Sequence, residues 1–384
     1  MKRKIAVLGA TGSIGKSTLD VIAANENDFE IVLLSAHQDT RGLLSLGTQF
    51  PRAKIVITDH QKWEKQTPET RSAITYWGQD GLVQAIRESG ADIVVNGIAG
   101  AAGLLPSITA LETGADLALA NKETIVMAGP LVASIAKKNH CRILPVDSEH
   151  SAVFHLLEAH GADAIEEVIL TASGGPFRQY SREQLEQVSL QDALNHPTWK
   201  MGGKITIDSA SLANKGLEVI EAVRLFSLKV EQVSVLVHPQ SYVHSLIRLK
   251  DGSLYAQISK PDMRVPIHNA LFWPEVRYCQ FGRLDLVGQT IHFEQPKTEL
   301  FPLLPLAYEA ARLGEGYPAA YNAANEEAVA AFMKGHISFV DIGRIVAQVL
   351  EKEWSCDEFD LQSILDVDQR SRAAAQECIK ELHH

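Results

Sequence analysis

Short apolar runs alternate with longer amphipathic segments along the first third of the chain. The run Ile5–Leu8 leads into a glycine-rich turn, and a helical pattern follows from about Ser13. Apolar runs in "FEIVLLSA", "AKIVIT" and "DIVVNG" continue the alternation. Strands that alternate with helices form parallel sheets with helices on both faces, so this pattern predicts an N-terminal parallel α/β domain.

The pattern changes further along the chain. In "VSVLVHPQSYVHSLIRLKDGSLYAQIS", alternation around Asp251 and Gly252 predicts a β-hairpin, hence a central α+β domain. The segments "AANEEAVAAFMKG" and "DIGRIVAQVLEKE" have helical spacing and predict a C-terminal helical bundle. The predicted boundaries are 1–147 for the first domain, 148–272 for the central domain, 273–298 for a linker and 299–384 for the helical domain.

Composition and charge narrow the class of partner. The 384 residues are 46% hydrophobic and 22% charged, and the net charge is −11 without a long basic run. Such a chain folds, and nucleic acid or an anionic membrane is not its main partner. A local pocket for a phosphorylated metabolite is compatible with this charge.

Other features predict a cytoplasmic protein. The apolar stretch near Met1 is too short and too rich in glycine for a signal peptide. The uncharged window 93–111 contains Asn, Pro and glycines, which favours a buried strand, a loop and a helix start over a membrane span. The cysteines form no CxxC pair, which is typical of free thiols in a reducing compartment.

The first turn carries glycines at Gly9, Gly12 and Gly15, between a strand and a helix. In a Rossmann-like domain, glycines at such a turn allow a tight bend, close approach of a pyrophosphate and close packing of helix on strand. We therefore predict that this turn binds a dinucleotide, the alternative being an ordinary β-α turn with the same glycines. An NAD enzyme usually has an acid at the end of the second strand, but here none precedes Asp39, and Arg41 is nearby. This favours NADP, the alternative being a merely solvated loop.

Two acids, Asp147 and Glu149, follow the apolar run "RILPV". If the backbone is extended there, both side chains face one side, and two carboxylates suit a hard cation such as Mg²⁺ or Mn²⁺. A third ligand could come from "DSASLANKGLEVIEAVRLF", read as one amphipathic helix that starts at Asp208 and Ser209. On such a helix Asn214, Lys215 and Glu218 would lie on the same face, although a solvated helix face would have the same pattern.

Three further stretches have the composition of ligand-binding segments. Lys122, in "LANKET", follows an apolar segment where ligands collect in α/β sheets, although a surface lysine is the alternative. The turn at 173–176, "SGGP", could hold an anion or be a plain turn. The polar loop 195–204 contains Trp199, Met201 and paired glycines, as a mobile lid would.

Several of these stretches appear together in one known family. The blocks "GATGSIGKSTLDVI", "LANKET", "PVDSEHSAVF", "SGGPFR", "HPTWKMGGKITIDSASLANKGLE", "HPQSYVHS", "PDMRVPI" and "NAANEEAVAAF" occur in the family's order. By these blocks the chain closely resembles the 1-deoxy-D-xylulose 5-phosphate reductoisomerases along nearly its whole length. The resemblance implies isomerisation of that ketose phosphate and its NADPH-linked reduction to 2-C-methyl-D-erythritol 4-phosphate, in non-mevalonate isoprenoid biosynthesis.

The resemblance also assigns roles to residues. The implied ligands of the divalent cation (Mg²⁺ or Mn²⁺, with Co²⁺ as a further option) are Asp147, Glu149 and Glu218. These three and Lys122 are the implied catalytic residues. The implied substrate contacts are Lys122, Ser148, Glu149, Ser173, His196, Trp199, Ser209, Asn214, Lys215 and Glu218. The implied NADPH contacts are Thr11, Gly12, Ser13, Ile14, Asn121, Glu123 and Gly202, with His37 and Gln38 at the ribose end.

One departure from the family concerns the cofactor. The family commonly has a glycine-lysine-asparagine segment after the second strand, where this chain has His37, Gln38 and Asp39. We predict that Arg41 or His37 supplies the missing cation. The resemblance further implies a homodimer. The alternative functions are a metal-free NADP-dependent dehydrogenase of a semialdehyde or sugar phosphate, and a non-catalytic dinucleotide sensor.

Overall fold

The computed structural model describes residues 2–199 and 202–382, so Met201 of the predicted lid lies outside the described residues. The chain divides into two compact units. The first contains the residues up to Thr124, Val132–Ser151 and Asp262–Gly282. The second contains Ile125–Leu131, Ala152–Pro261 and the described residues from Arg283 onward. The domain boundaries drawn from the sequence stay a prediction.

Within the described ranges, eleven strands form two sheets. The strands of the first sheet are β1 (Arg3–Leu8), β2 (Phe29–Ala36), β3 (Lys54–Ile57), β4 (Tyr76–Trp77), β5 (Ile93–Asn96), β6 (Asp116–Leu119) and β7 (Ile143–Pro145). Those of the second are β8 (Ile165–Ala172), β9 (Val233–Val237), β10 (Val243–Leu249) and β11 (Leu254–Ile258). The first sheet is parallel throughout, in the order β4-β3-β2-β1-β5-β6-β7. The second has the order β11-β10-β8-β9.

Helices account for most of the remaining regular structure. The early helices are α1 (Ser13–Ala24), α2 (Thr40–Gln49), α3 (His60–Glu64), α4 (Pro68–Ser72), α5 (Gly78–Arg87), α6 (Leu104–Glu112), α7 (Lys122–Lys138) and α8 (Ser148–His160). The later helices are α9 (Arg182–Leu185), α10 (Leu190–Ala193), α11 (Gly203–Ala210), α12 (Ala213–Leu225), α13 (Arg264–Phe272), α14 (Leu303–Leu313), α15 (Tyr317–Met333), α16 (Asp341–Leu350) and α17 (Leu361–Glu381). None of the helices in the described ranges is long and apolar enough to cross a membrane.

The strand order of the first unit creates a binding crevice. From β1 the chain adds β2, β3 and β4 on one side, and then returns to place β5 on the other side of β1. At such a reversal the two neighbouring loops diverge, and open parallel sheets bind ligands outside the carboxyl ends of the strands there. Residues Ile5–Leu8 of β1 are all fully buried, which agrees with the apolar run that predicted this strand.

A late segment of the sequence completes the first unit. Helix α13 packs against α1, and the ring of Phe272 lies 5.0 Å from that of Phe29 on β2. The guanidinium of Arg3 donates to the carbonyl oxygen of Leu271 at 2.9 Å. The first β-α-β unit is therefore packed against residues more than two hundred positions later in the chain.

The predicted fold class is confirmed. The first sheet is parallel and Rossmann-like, β10 and β11 pair antiparallel on either side of Asp251 and Gly252, and α14 to α17 form the helical C-terminal region. The prediction for 93–111 is also confirmed, because β5, a 3₁₀ turn and α6 occupy this window.

The predicted single helix from Asp208 is wrong. Asp208 belongs to α11, and Leu212 then adopts a left-handed conformation (φ +60°) before α12 begins at Ala213. The break turns the chain, so Ser209 and Asn214 lie on different helices. A helical period counted through Leu212 could not reveal this break, because a left-handed leucine has no sequence signature.

Candidate functional site

The glycine turn after β1 has the geometry that a pyrophosphate needs. Gly9 has φ +75°, and a Cβ atom there would lie 2.9 Å from the carbonyl oxygen of Gly97, which follows β5 across the crevice. A Cβ on Gly15 would overlap the backbone of Ala10, so α1 packs directly on the turn. The N-cap residue of α1 is Gly12, which has no side chain that could accept hydrogen bonds from the first turn of the helix. Backbone N–H groups of the first helical turn are thus available to an anion.

The other predicted contacts of this turn are at the same end of α1. Ser13 is exposed, whereas Thr11 and Ile14 are half-buried. Together with the close approach of the two loops, this shape fits a dinucleotide.

The loop after β2 has no carboxylate free for a ribose. Asp39 caps α2 through a 2.9 Å hydrogen bond from the N–H of Gly42. Nδ1 of His37 lies 3.0 Å from the hydroxyl of Thr58, and the amide of Gln38 donates to Asp59 at 2.9 Å. His37, Gln38 and Arg41 are exposed. The use of Asp39 as a helix cap removes the acid that would otherwise favour NAD.

Asn121 organises the loop that follows β5. Its side-chain N–H₂ donates to the carbonyl oxygens of Ile98 at 2.8 Å and Gly100 at 2.9 Å, and also to Glu123. Its Oδ1 accepts from the N–H of Thr124 at 3.0 Å and so caps α7. Asn121 and Glu123 thus lie at the carboxyl edge of the sheet, where a nicotinamide cofactor is expected.

Lys122 is a buried residue, which excludes the alternative of a surface lysine. Its side chain is 6% exposed, and Nζ lies 2.9 Å from Oδ2 of Asp147, whose side chain is 14% exposed. Oδ1 of Asp147 lies 3.1 Å from Nδ1 of the fully buried His150. A carboxylate held between two nitrogen groups keeps a fixed orientation, as a catalytic or metal-binding acid requires.

The predicted extended arrangement of Asp147 and Glu149 is wrong. Strand β7 ends at Pro145, Asp147 lies in the connection, and Glu149 is in the first turn of α8. The two acids nevertheless stay close, because Oδ1 of Asp147 accepts from the N–H of Glu149 at 3.2 Å. The hydroxyl of Ser148 donates to Glu149 at 2.5 Å. A strand-to-helix turn, rather than strand pleat, sets the spacing of the acids.

The polar cluster on α12 is buried, so it is not a solvated helix face. Lys215 is 3% exposed and Glu218 1% exposed, and the two form an ion pair. Asn214 donates to the other oxygen of Glu218 at 2.5 Å. One carboxylate oxygen from each of Asp147, Glu149 and Glu218 lies within 4.8 Å of the others. Three carboxylates in this arrangement are a suitable oxygen donor set for a hard divalent cation.

Ser173, His196 and Ser209 form a second polar cluster. Nε2 of His196 lies 3.1 Å from each of the two serine hydroxyls. Nδ1 accepts backbone N–H groups from Thr198 at 3.1 Å and Trp199 at 2.9 Å. Since Nδ1 must keep a lone pair to accept, the proton of the neutral ring is on Nε2. The serine hydroxyls can then donate their own protons outward, as a phosphate requires.

Two close approaches place these residues. Gly175 has φ +66°, and a Cβ atom there would lie 2.8 Å from the carbonyl oxygen of Ser209, so only glycine lets the 173–176 turn contact α11. Gly202 is exposed and precedes α11 at the end of the predicted lid. The lid itself stays a prediction, while the contact of His196 with the N–H of Trp199 fixes the first part of this loop on the serine pair.

Burial lowers the pKa of His196 below its ordinary value of 6.5. As the pH falls below about 6.5, the unfolded chain takes up the proton first, so the free energy of unfolding decreases; above that pH the residue contributes no pH dependence. We expect His196→Asn to lose less stability than the wild type between about pH 7.5 and about pH 5.5. Denaturant titrations at both pH values measure this, and equal losses would contradict it.

Sequence reasoning missed His150. It lies three residues after Asp147, a spacing that brings side chains together once a helix begins between them. The signal was therefore present in "DSEH", but it is informative only if α8 is known to start at Ser148.

Comparison with known proteins agrees with this geometry. Three family models match in order along the chain: 1-deoxy-D-xylulose 5-phosphate reductoisomerase at residues 5–129, the C-terminal domain of the same enzyme at 143–226, and the DXP reductoisomerase C-terminal domain at 258–374. A 1-deoxy-D-xylulose 5-phosphate reductoisomerase of Treponema denticola is 47% identical over 97% of this chain and 96% of its own. The chain belongs to the 1-deoxy-D-xylulose 5-phosphate reductoisomerase family.

Solved structures of reductoisomerases have the same fold. A crystal structure of DOX-P reductoisomerase in complex with NADPH, fosmidomycin and magnesium has a TM-score of 0.92 at 40% identity, with 99% of each chain covered. The reductoisomerase of Zymomonas mobilis in complex with NADPH has a TM-score of 0.90 at 39% identity, again with 99% of each chain covered.

Proposed function

We propose that this chain isomerises 1-deoxy-D-xylulose 5-phosphate and reduces the product with NADPH to 2-C-methyl-D-erythritol 4-phosphate, a precursor step of isoprenoid biosynthesis. The reaction depends on a divalent cation, Mg²⁺ or Mn²⁺. The observation that carries the proposal is the proximity of three carboxylates, Asp147, Glu149 and Glu218, in a chain of this family. A metal-free dehydrogenase has no use for such a group.

The three carboxylates are the proposed ligands of the cation. Two of them have their orientation set by neighbours, Asp147 by Lys122 and His150, and Glu218 by Lys215. When bound, the cation supplies positive charge at adjacent substrate oxygens, where negative charge develops during the rearrangement. Lys122, whose Nζ lies 2.9 Å from Asp147, is the proposed contact of the protein with the substrate beside these carboxylates.

The serine-histidine cluster is the proposed phosphate site. Neutral His196 donates from Nε2 to a serine oxygen, which leaves the hydroxyl protons of Ser173 and Ser209 to the phosphate oxygens. Asn214 and Lys215 are the proposed further contacts, and Ser148 orients Glu149 and contacts the substrate. Trp199 closes over the substrate and excludes water.

NADPH is the proposed hydride donor. Thr11, Gly12, Ser13 and Ile14 hold its pyrophosphate at the start of α1. Asn121, Glu123 and Gly202 line the nicotinamide end, and His37 and Gln38 the adenosine end. The adenosine 2′-phosphate is held by Arg41 or His37.

Replacement of Arg41 by alanine is expected to lower the preference for NADPH over NADH, as a ratio of kcat/KM, by about tenfold, because one charge-assisted contact to the phosphate is lost. His37→Ala is the companion variant. Arg52→Ala is the matched control, since the side chain of Arg52 is 86% exposed and forms an ion pair with Glu30 at 3.5 Å. Steady-state kinetics with both cofactors measure the ratio. An unchanged ratio in both variants would exclude Arg41 and His37 as the phosphate ligands.

The proposed activity has a direct test. Purified protein should oxidise NADPH on addition of 1-deoxy-D-xylulose 5-phosphate, stop in excess EDTA and recover with Mn²⁺ or Mg²⁺, because the cation stabilises the charge that develops. Absorbance of NADPH follows the reaction, and analysis of the product identifies the methylerythritol phosphate. Turnover that persists in EDTA would favour the dehydrogenase, and binding of NADPH without turnover would favour the sensor.

We further propose a cytoplasmic homodimer. The edge strand β11 supports the dimer, because it leaves Leu254, Tyr255 and Ile258 between 40% and 50% exposed. A sheet edge with apolar side chains is usually covered in the working protein.

A further inference from the structure

The proposed function gives no role to the C-terminal helices, yet one of their residues touches the helix of the phosphate site. Asn325 of α15 is fully buried, and its side-chain N–H₂ donates to Oδ1 of Asp208 at 2.8 Å. Asp208 is 1% exposed and immediately precedes Ser209 on α11. The contact thus joins a distant helix to the residue beside a proposed phosphate ligand.

Asp208 is held on both of its oxygens. Lys204, one turn earlier on α11, lies 2.9 Å from Oδ2, while Asn325 occupies Oδ1. A buried carboxylate needs such partners, because without them its desolvation would not be offset. Lys204 lies at the end of the predicted lid, so the chain Asn325–Asp208–Lys204 spans α11 from Ser209 to the lid.

The chemistry of Asn325 argues that this contact is the reason for an asparagine. A carboxylate can only accept, so Nδ2 must face Asp208, and Oδ1 of Asn325 then has no hydrogen-bond partner among the described residues. A buried acceptor without a partner is unfavourable, and a leucine, which has the same branching at Cγ, would avoid it. Asparagine is therefore not the residue that packing alone would favour here.

The same helix also supports α12. A Cβ atom on Gly216 would lie 2.7 Å from the hydroxyl of Tyr321 and 2.7 Å from Cβ of Ala307, so α12 packs directly on α14 and α15. Tyr321 is fully buried and donates to the carbonyl oxygen of Leu303 at 3.0 Å. Helix α15 thus contacts both helices that carry proposed substrate ligands.

We propose that Asn325 is a positioning residue of the phosphate site: by holding Asp208 it fixes α11, and with it the hydroxyl of Ser209 and the end of the lid. This inference rests on the proposed function, because it takes Ser209 as a phosphate ligand. Asn325 acts through Asp208 and does not itself contact the substrate.

The test compares Asn325→Leu with Asn322→Leu. Asn322 is equally buried on the same helix, but its amide donates within α15, to Glu326 at 3.3 Å. Asn325→Leu should raise KM for 1-deoxy-D-xylulose 5-phosphate by about tenfold. It should also weaken the binding of inorganic phosphate by about tenfold, as measured by calorimetry on the NADPH-loaded protein. Both kcat and the KM for NADPH should stay within about threefold of the wild-type values. Asn322→Leu should change none of these, whatever either variant does to the melting temperature.

A reciprocal exchange supplies the rescue. Asn325→Asp alone puts two acids together and should weaken phosphate binding further, whereas adding Asp208→Asn restores the hydrogen bond with donor and acceptor reversed and should recover part of the loss. Phosphate affinity equal in Asn325→Leu and wild type, or failure of the exchange to recover any affinity, would overturn the inference. Phosphate binding by a wild type that does not turn over the sugar phosphate would refute the proposed function alone. A wild type that binds no phosphate would overturn the inference.

Discussion

Glu218→Gln should lose at least about a hundredfold of the metal-dependent turnover, and Mn²⁺ should bind more weakly. The substitution keeps the shape of the side chain but removes the charge that the cation needs. Glutamine can still accept from Lys215 and Asn214 through one oxygen, so the fold should survive with a reduced melting temperature. Kinetics at increasing Mn²⁺ concentration and direct titration of Mn²⁺ separate lost affinity from lost folding.

The matched control for this variant is Glu221→Gln. Glu221 is on the same helix and 2% exposed, but it is not among the proposed ligands. Its replacement should leave turnover within about threefold of the wild type, even if the melting temperature changes. If Glu218→Gln retained wild-type turnover and Mn²⁺ affinity, the proposed metal site would have to exclude Glu218.

Lys122→Met should lower kcat by about a hundredfold while the affinity for Mn²⁺ stays the same or increases. Lys122 neutralises Asp147 at 2.9 Å in a shielded environment, so its removal leaves that carboxylate more available to a cation. The ammonium proposed to reach the substrate is lost at the same time. This opposite effect on turnover and metal binding distinguishes Lys122 from the ligands.

Lys137→Met is the corresponding control, because Lys137 is exposed near the other end of α7. It should keep both kcat and Mn²⁺ affinity. Parallel loss of Mn²⁺ affinity and kcat in Lys122→Met would mean that the lysine only supports the geometry of the site and does not act on the substrate.

The periodic parts of the sequence predicted their structure well. The apolar run at Ile5–Leu8, the glycines that follow it and the hairpin at Asp251 and Gly252 each express a local rule, and each has the expected conformation. The helical C-terminal region followed from its spacing in the same way. Local backbone chemistry is sufficient where neighbouring residues decide the outcome.

The candidate site was harder to predict because its geometry depends on contacts between distant residues. The break at Leu212 and the turn from β7 into α8 both ran against the local pattern. The burial of Glu218 depends on packing that no window of the sequence contains. Composition indicated which residues carry the chemistry, but only the fold separates a buried cluster from a solvated face.

The return of Asp262–Gly282 to the first unit has a consequence for synthesis on the ribosome. Because α13 packs on α1 and Phe272 on Phe29, the first sheet and its helix α1 lack part of their packing until nearly three quarters of the polypeptide has been made. During that interval its apolar face is a target for chaperones, since domains generally fold as units as they emerge. Nascent chains stalled before position 262 should therefore be protease-sensitive in the N-terminal sheet, although its strands are the first part of the chain to be synthesised.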